Sequence, residues 1–210
     1  MIVVIGGRKG GTGKSTIACS LAVALAKKGR VCIFDADAQE SMKDWVETRF
    51  SNLNDEENLI DFEYGGGDLS KKLESLNREY KYVLVDCSGK DSKEFRSSLV
   101  VANKVLLPIC SSPVDRRTLP YISDLLKKAR THNKKLKHLS VLSMNSGLEK
   151  KENKITRELL QELKMNPIKS SIGRRKSFKE AMGLGIGVTE QKKDKLASKE
   201  IRELAREIMK

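Results

Sequence analysis

The chain has 210 residues, 33% of them charged and 39% hydrophobic, with a formal net charge of +13 at pH 7. That length suits one α/β domain with a continuous core, and because the longest apolar runs are only strand-length, we expect neither a spanning helix nor a signal peptide. Cys19, Cys32, Cys87 and Cys110 show no C-x-x-C spacing, so they read as small reduced core residues rather than a metal or disulfide framework.

Ile2-Val3-Val4-Ile5 forms the first apolar strand, and it runs into Lys9-Gly10-Gly11-Thr12-Gly13-Lys14-Ser15-Thr16, with a helix-forming stretch from Ile17 to Lys28 behind. Strand, glycine-rich loop and helix in that order build a phosphate cradle. Glycines let backbone N–H groups turn toward an anion without a Cβ clash, and the helix N-terminus adds partial positive charge at the same point. Lys14 is placed to reach the β- and γ-phosphates, and the Ser15 hydroxyl to ligate Mg²⁺. ATP and Mg²⁺ are therefore the expected cofactors, with Lys9 to Thr16 as the binding loop.

Val31-Cys32-Ile33-Phe34 is the second apolar strand, and Asp35-Ala36-Asp37-Ala38-Gln39 follows it. Trp45, on the amphipathic stretch beyond, reads as packing, and Ser51 to Asn58 as a long surface loop. Leu69, Leu73 and Leu76 mark a helix; Tyr82-Val83-Leu84-Val85 is a further strand ending in Asp86, where a carboxylate at the C-terminal edge of a parallel strand holds Mg²⁺ through a water. Lys104 to Ile109 leads into Ser111-Ser112-Pro113-Val114-Asp115, in which Pro113 opens a helix or turn. Ile122, Leu125, Leu126 and Ala129 line another helix, and Leu139 to Ser143 is a strand reaching Met144-Asn145. Alternation of strands with amphipathic helices predicts an α/β fold, a mostly parallel sheet with helices on both faces. Leu196, Ile201, Leu204, Ala205 and Ile208 make one stripe on the last helix. It has no Trp or Phe, and Glu200, Glu203 and Glu207 interrupt its basic side, so it is expected to dock on the core and not on a membrane.

The usual P-loop pattern G-x-x-x-x-G-K-[ST] has glycine where Arg8 stands, and Lys9 follows at once. This KGGTGKST loop resembles the deviant Walker A loop of the ParA/MinD-type ATPases, closest to the small plasmid-partition ParA proteins of the ParF kind. The resemblance implies a P-loop NTPase architecture; with no linker dividing the chain and the first strand beginning at Ile2, a single domain over residues 1–210 without an N-terminal helix-turn-helix is expected. The resemblance also implies that Lys9 crosses an ATP-sandwich homodimer to the partner's nucleotide, that Asp37 positions the attacking water, and that Asp35 supports the Mg²⁺ shell. Lys9, Lys14 and Asp37 are thus the catalytic candidates. Asp86 takes the Walker B role, and Asn145 the hydrogen bond to adenine. Ser112-Pro113-Val114-Asp115 is similar to an S-P-x-D segment near the dimer or assembly surface, or is a plain turn. Residues 172–190 look like the family's R-x-x-F-x-x-A…G-x-x-V-x-E tail. Ala38 stands where proline is usual, and Cys87-Ser88-Gly89 departs from the relatives' second switch loop.

Charge is distributed unevenly. Residues 1–110 hold 16 Lys and Arg against 16 Asp and Glu, while residues 111–210 hold 25 against 12. Clusters of basic side chains release counterions on binding a phosphate backbone, and scarce aromatics argue against base stacking. Non-specific DNA is therefore an expected partner, through Lys127, Lys128, Lys134, Lys135, Arg174, Arg175, Lys176, Lys192 and Lys193. The resemblance adds a centromere-binding ParB-like protein that stimulates hydrolysis, partition of plasmid or chromosome DNA, and a cytoplasmic protein that associates with the nucleoid when ATP-bound. A MinD-like membrane-associated ATPase, a conjugation-type DNA-transfer ATPase and an ATP-dependent ligase of the same superfold remain as alternatives.

Overall fold

In the computed structural model the described residues are 1–37, 42–52, 59–88, 91–191 and 193–210. Among them seven parallel strands form one sheet: β1 (Ile2–Ile5), β2 (Val31–Asp35), β3 (Ile60–Tyr64), β4 (Tyr82–Asp86), β5 (Lys104–Ile109), β6 (Lys137–Asn145) and β7 (Pro167–Gly173). Their spatial order is β3-β2-β4-β1-β5-β6-β7. The strands β1, β2, β4 and β5 are buried along their whole length, which is why they read as near-continuous apolar runs: helices cover both faces. The two outer strands, β3 and β7, are more polar and are additions to the strands expected from the sequence.

The helices are α1 (Lys14–Ala26), α2 (Lys43–Asn52), α3 (Ser70–Glu79), α4 (Lys93–Val101), α5 (Pro113–Arg116), α6 (Leu119–His132), α7 (Lys150–Glu162), α8 (Lys176–Gly183) and α9 (Lys195–Met209). Successive strand residues point to opposite faces, so two cores form. Val3, Ile5, Ile33, Leu84 and Leu106 meet α1, Trp45, Phe178 and the apolar side of α9. Ile2, Val4, Val83, Val85, Val105 and Leu107 meet Leu73, Leu76, Leu99, Ile122, Leu126 and Leu160 of the opposite helices.

Helix α1 is buried on nearly every side, because α9 packs over it. Ala197, Ile201, Leu204, Ala205 and Ile208 are all buried, so the stripe docks on the protein's own core. Leu196, assigned to the same stripe, faces solvent instead. Lys104 closes the end of α9 by donating its ammonium to the Ile208 carbonyl, a favourable contact with the helix C-terminus. At the outer strand, the Arg157 guanidinium donates to the carbonyls of Ile168 (2.6 Å) and Lys169 (3.2 Å).

Ser51 and Asn52 belong to the last turn of α2 and not to a loop; residues 53–58 lie outside the described residues. Helix α2 is fastened to the 185–190 segment. Trp45 Nε1 donates to the Ile186 carbonyl, and the buried Arg49 donates to the Gly185 carbonyl and pairs with Glu190 at 3.1 Å. Cys19, Cys32 and Cys87 are buried as expected, while Cys110 is half-buried at the end of β5.

Candidate nucleotide site

The central strand β1 lies between β4 and β5, where the direction of strand addition reverses, and the loop leaving it opens at this switch point. At its base Gly6 accommodates α4: a Cβ there would stand 2.3 Å from the Phe95 ring. Further on, Gly11 (φ 74°) and Gly13 (φ 83°) adopt left-handed backbone that a side chain would strain. A Cβ built on Gly10 or Gly11 meets nothing within 4 Å, so the loop borders open space of the kind a phosphate group fills. Lys14 opens α1, three residues earlier than the helix start expected from Ile17. Its buried ammonium donates to the Lys9 carbonyl at 3.1 Å.

Two carboxylates end neighbouring strands beside this loop, and the fold gives them different tasks. Asp35 Oδ1 accepts the Asp37 N–H at 2.9 Å and Oδ2 the Met42 N–H at 3.2 Å. Asp35 thus clamps both ends of the 37–42 segment, whose residues 38–41, Ala38 and Gln39 included, lie outside the described residues. Asp35 therefore holds backbone as well as standing at the strand end where the Mg²⁺ shell is expected. Asp86 is the reverse case: both oxygens are buried and have no hydrogen-bond partner among the described residues. Burial pushes its pKa up from 3.8 to about 7; Asp35 adds to the rise, and Ser15 and Lys14 oppose it. A buried carboxylate with free lone pairs, close to a serine hydroxyl and a lysine, fits a hydrated Mg²⁺ ion.

Beside the loop lies a cavity of about 480 Å³, bordered by Gly11, Gly13, Thr16 and Ile17 on one side and by Met144, Ile172, Phe178 and Lys179 on the other. That volume and its mixed lining suit a small polar ligand such as a nucleoside. The Ser143 hydroxyl donates to the Thr12 carbonyl at 2.8 Å and ties β6 to the loop. Met144 takes a left-handed φ of 56°, uncommon for a residue with a side chain. Asn145 stands next to it, its Oδ1 accepting from the Gly147 N–H (2.8 Å) and from Asn153 Nδ2 (3.1 Å). Its side chain holds the turn into α7.

The structure does not gather the proposed DNA-binding residues on one surface. Lys127 and Lys128 on α6, with Lys134 and Lys135 after it, precede the N-terminal end of β6, whereas the phosphate loop lies at the C-terminal ends of the strands. Arg174 and Arg175 follow the C-terminal end of β7 and line the cavity. Arg175 is also paired with Glu200 at 2.7 Å, and Lys176 with Glu180 at 3.2 Å. Lys193 is exposed, and Lys192 lies outside the described residues.

Two contacts at the start of the loop had no signal in local sequence. Lys9 Nζ pairs with Asp115 Oδ1 at 2.9 Å, and the Arg8 guanidinium lies 4.2 Å from the centre of the Tyr121 ring. Their partners are more than 100 positions away along the chain, so only the fold brings them together.

A glycine-rich phosphate loop at the switch point of a parallel sheet, with an orphaned carboxylate across from it, defines a P-loop nucleotide-binding α/β domain. Residues 3–188 match the family described as the CobQ/CobB/MinD/ParA nucleotide binding domain, and the chain belongs to that family. It is 25% identical over 206 residues to "Maintenance of carboxysome distribution protein A" of Halothiobacillus neapolitanus, covering 96% of this chain and 93% of that relative. In fold it is similar to apo McdA of Cyanothece, with a TM-score of 0.79 at 16% identity and coverage of 100% and 99% of the two chains. It is also similar to a putative plasmid partition protein from Borrelia burgdorferi bound to AMPPNP, with a TM-score of 0.75 at 19% identity and coverage of 99% and 97%. Among the described residues no helix is long and apolar enough to cross a membrane.

Proposed function

We propose that this chain is a ParA-type ATPase that works as a nucleotide-timed positioning switch. The observation that carries the reading is the pair of lysines at the two ends of one loop: Lys14 buried in the cradle, Lys9 at its rim with 42% of its side chain exposed. A P-loop needs only the first. In the proposed cycle the loop amides and Lys14 hold the phosphates of ATP, and Asp86 and Ser15 hold Mg²⁺, which neutralises phosphate charge when bound. Asp37, at the start of the clamped 37–42 segment, orients the attacking water. Lys9 of each subunit reaches the nucleotide of the other in a sandwich dimer. Asn145 faces the adenine.

The dimer binds DNA without sequence preference, a partner protein of the ParB kind stimulates hydrolysis, and release resets the cycle. Avidity from two basic subunits makes the dimer the DNA-bound form. The positioned cargo is plasmid or chromosome DNA. A second reading, in which the cargo is a protein body, is favoured by the full-length similarity to a carboxysome-distribution protein.

Binding to non-specific duplex DNA with ATP, ADP or no nucleotide, across a salt series, tests the switch. The expected result is tight, salt-sensitive binding with ATP alone; no binding in any state rejects it. Plasmid retention and chromosome segregation in cells lacking the chain separate the two cargoes: plasmid loss or anucleate cells fit DNA partition, and both unchanged fit the protein body.

A further inference from the structure

Within one subunit, both loop lysines are already satisfied. Lys14 donates to the Lys9 carbonyl at 3.1 Å, and Lys9 pairs with Asp115 at 2.9 Å. The Asp115 side chain is only 6% exposed, and it is fixed by the turn that opens α5: its Oδ2 accepts the Ser112 hydroxyl, while its own N–H donates to Ser112 Oγ. Beside it, Arg8 stacks on Tyr121, whose hydroxyl donates to Asp91. The stretch from Pro113 to Tyr121 therefore holds both cations that precede the glycines.

We propose that Asp115 is a positioning residue that seats Lys9 inside its own subunit, and that nucleotide loosens this seat. The inference rests on the crossed role of Lys9 given above. Nucleotide phosphates compete for the Lys14 ammonium, one of whose N–H groups bonds the Lys9 carbonyl, and so weaken that anchor at the start of the loop. Departure of Lys9 still leaves Asp115 buried without its counter-charge, a state that costs free energy and opposes dimerisation. The phosphates of the facing subunit supply the stronger attraction. Nucleotide binding thus comes first and the crossing of Lys9 second. Each dimer breaks two seats, so the effects multiply. If one half-exposed pair is worth about threefold, removing both changes the dimerisation constant on the order of tenfold.

Sedimentation velocity over a protein concentration series, with ATP and Mg²⁺, with ADP and without nucleotide, tests this on the full chain. Asp115→Asn keeps the size of the side chain and an acceptor for Ser112. It is expected to dimerise with ATP at about tenfold lower concentration than wild type, Asp115→Glu is expected to restore the wild-type threshold, and both are expected to bind a fluorescent ADP analogue as wild type does. If Asp115→Asn folds poorly, Ser112→Ala, which removes the hydroxyl holding the carboxylate, is expected to lower the threshold in the same direction. A wild-type chain that stays monomeric with ATP rejects the crossed lysine and the seat together. A wild-type chain that dimerises, beside variants needing the same or a higher concentration, rejects the seat alone.

Discussion

Asp35 and Asp86 stand directly opposite each other at the ends of adjacent parallel strands, and only Asp35 has its oxygens engaged by backbone donors. Two carboxylates in neighbouring register positions repel. Burial raises the Asp86 pKa to about 7 from 3.8, and repulsion from Asp35 adds to the rise. Between those two values the folded protein holds a proton that the unfolded chain has lost. Without metal, stability therefore falls as pH rises from about 4 to about 7 and stays lowered above that. The loss is about 1.4 kcal/mol for every tenfold difference in proton affinity between the folded and unfolded chain. Thermal unfolding across that range is expected to show the fall in wild type and to lose it in Asp86→Asn. Added Mg²⁺ is expected to restore wild-type stability above pH 7 and to leave Asp86→Asn unchanged. Identical pH profiles in the two proteins would count against the assignment.

Replacing Lys9 by alanine leaves the cradle and Lys14 in place. The variant is expected to bind ATP with near wild-type affinity and to lose partner-stimulated hydrolysis. A cation supplied across an interface in comparable phosphoryl-transfer systems contributes about 10³ to 10⁵ in rate. Turnover measured with and without the stimulating partner decides this, and a stimulated rate equal to wild type removes Lys9 from the mechanism.

Asp37→Ala separates binding from hydrolysis. Asp37 contributes its N–H to the Asp35 clamp, a contact the alanine variant keeps, so the segment retains its anchor while losing the carboxylate. The variant is expected to bind ATP, to dimerise and to remain on DNA. Dissociation from DNA followed in real time after dilution of ATP is the measurement, and rapid release with normal turnover refutes the water-positioning role.

Gly6→Ala places a methyl group 2.3 Å from the Phe95 ring, which is buried and cannot swing aside freely. Overpacking of this kind costs about 1–3 kcal/mol. Chemical denaturation is expected to show that loss, and Phe95→Leu in the same chain to recover part of it. Recovery without the second change would mean that the loop, not α4, gives way.

Much of this architecture was legible because the central strands are buried on both faces and so write themselves as uninterrupted apolar runs. The phosphate loop was legible for a different reason: its backbone requires glycine at fixed places, and its chemistry requires Lys14 and Ser15 at the helix start. The outer strands were not. Ile60–Tyr64 carries Asp61 and Glu63, and Pro167–Gly173 begins with proline and carries two serines, so neither shows a continuous apolar run. The clamp role of Asp35 and the seat of Lys9 were hidden as well. Both depend on where a backbone N–H or a distant side chain arrives once the sheet is assembled. Composition alone also overstated the unity of the basic half. The basic clusters around α6 and after β7 lie at opposite ends of the sheet, and several of these side chains are tied to glutamates on their own or neighbouring helices.

Arg157 has a consequence for how copies of this chain can associate. An outer strand with free carbonyls is a template onto which a second sheet can grow. Here a guanidinium has taken up the Ile168 and Lys169 carbonyls of that strand. A second sheet adding along this margin meets a guanidinium already bound to the strand, so joining of two sheets at β7 is disfavoured.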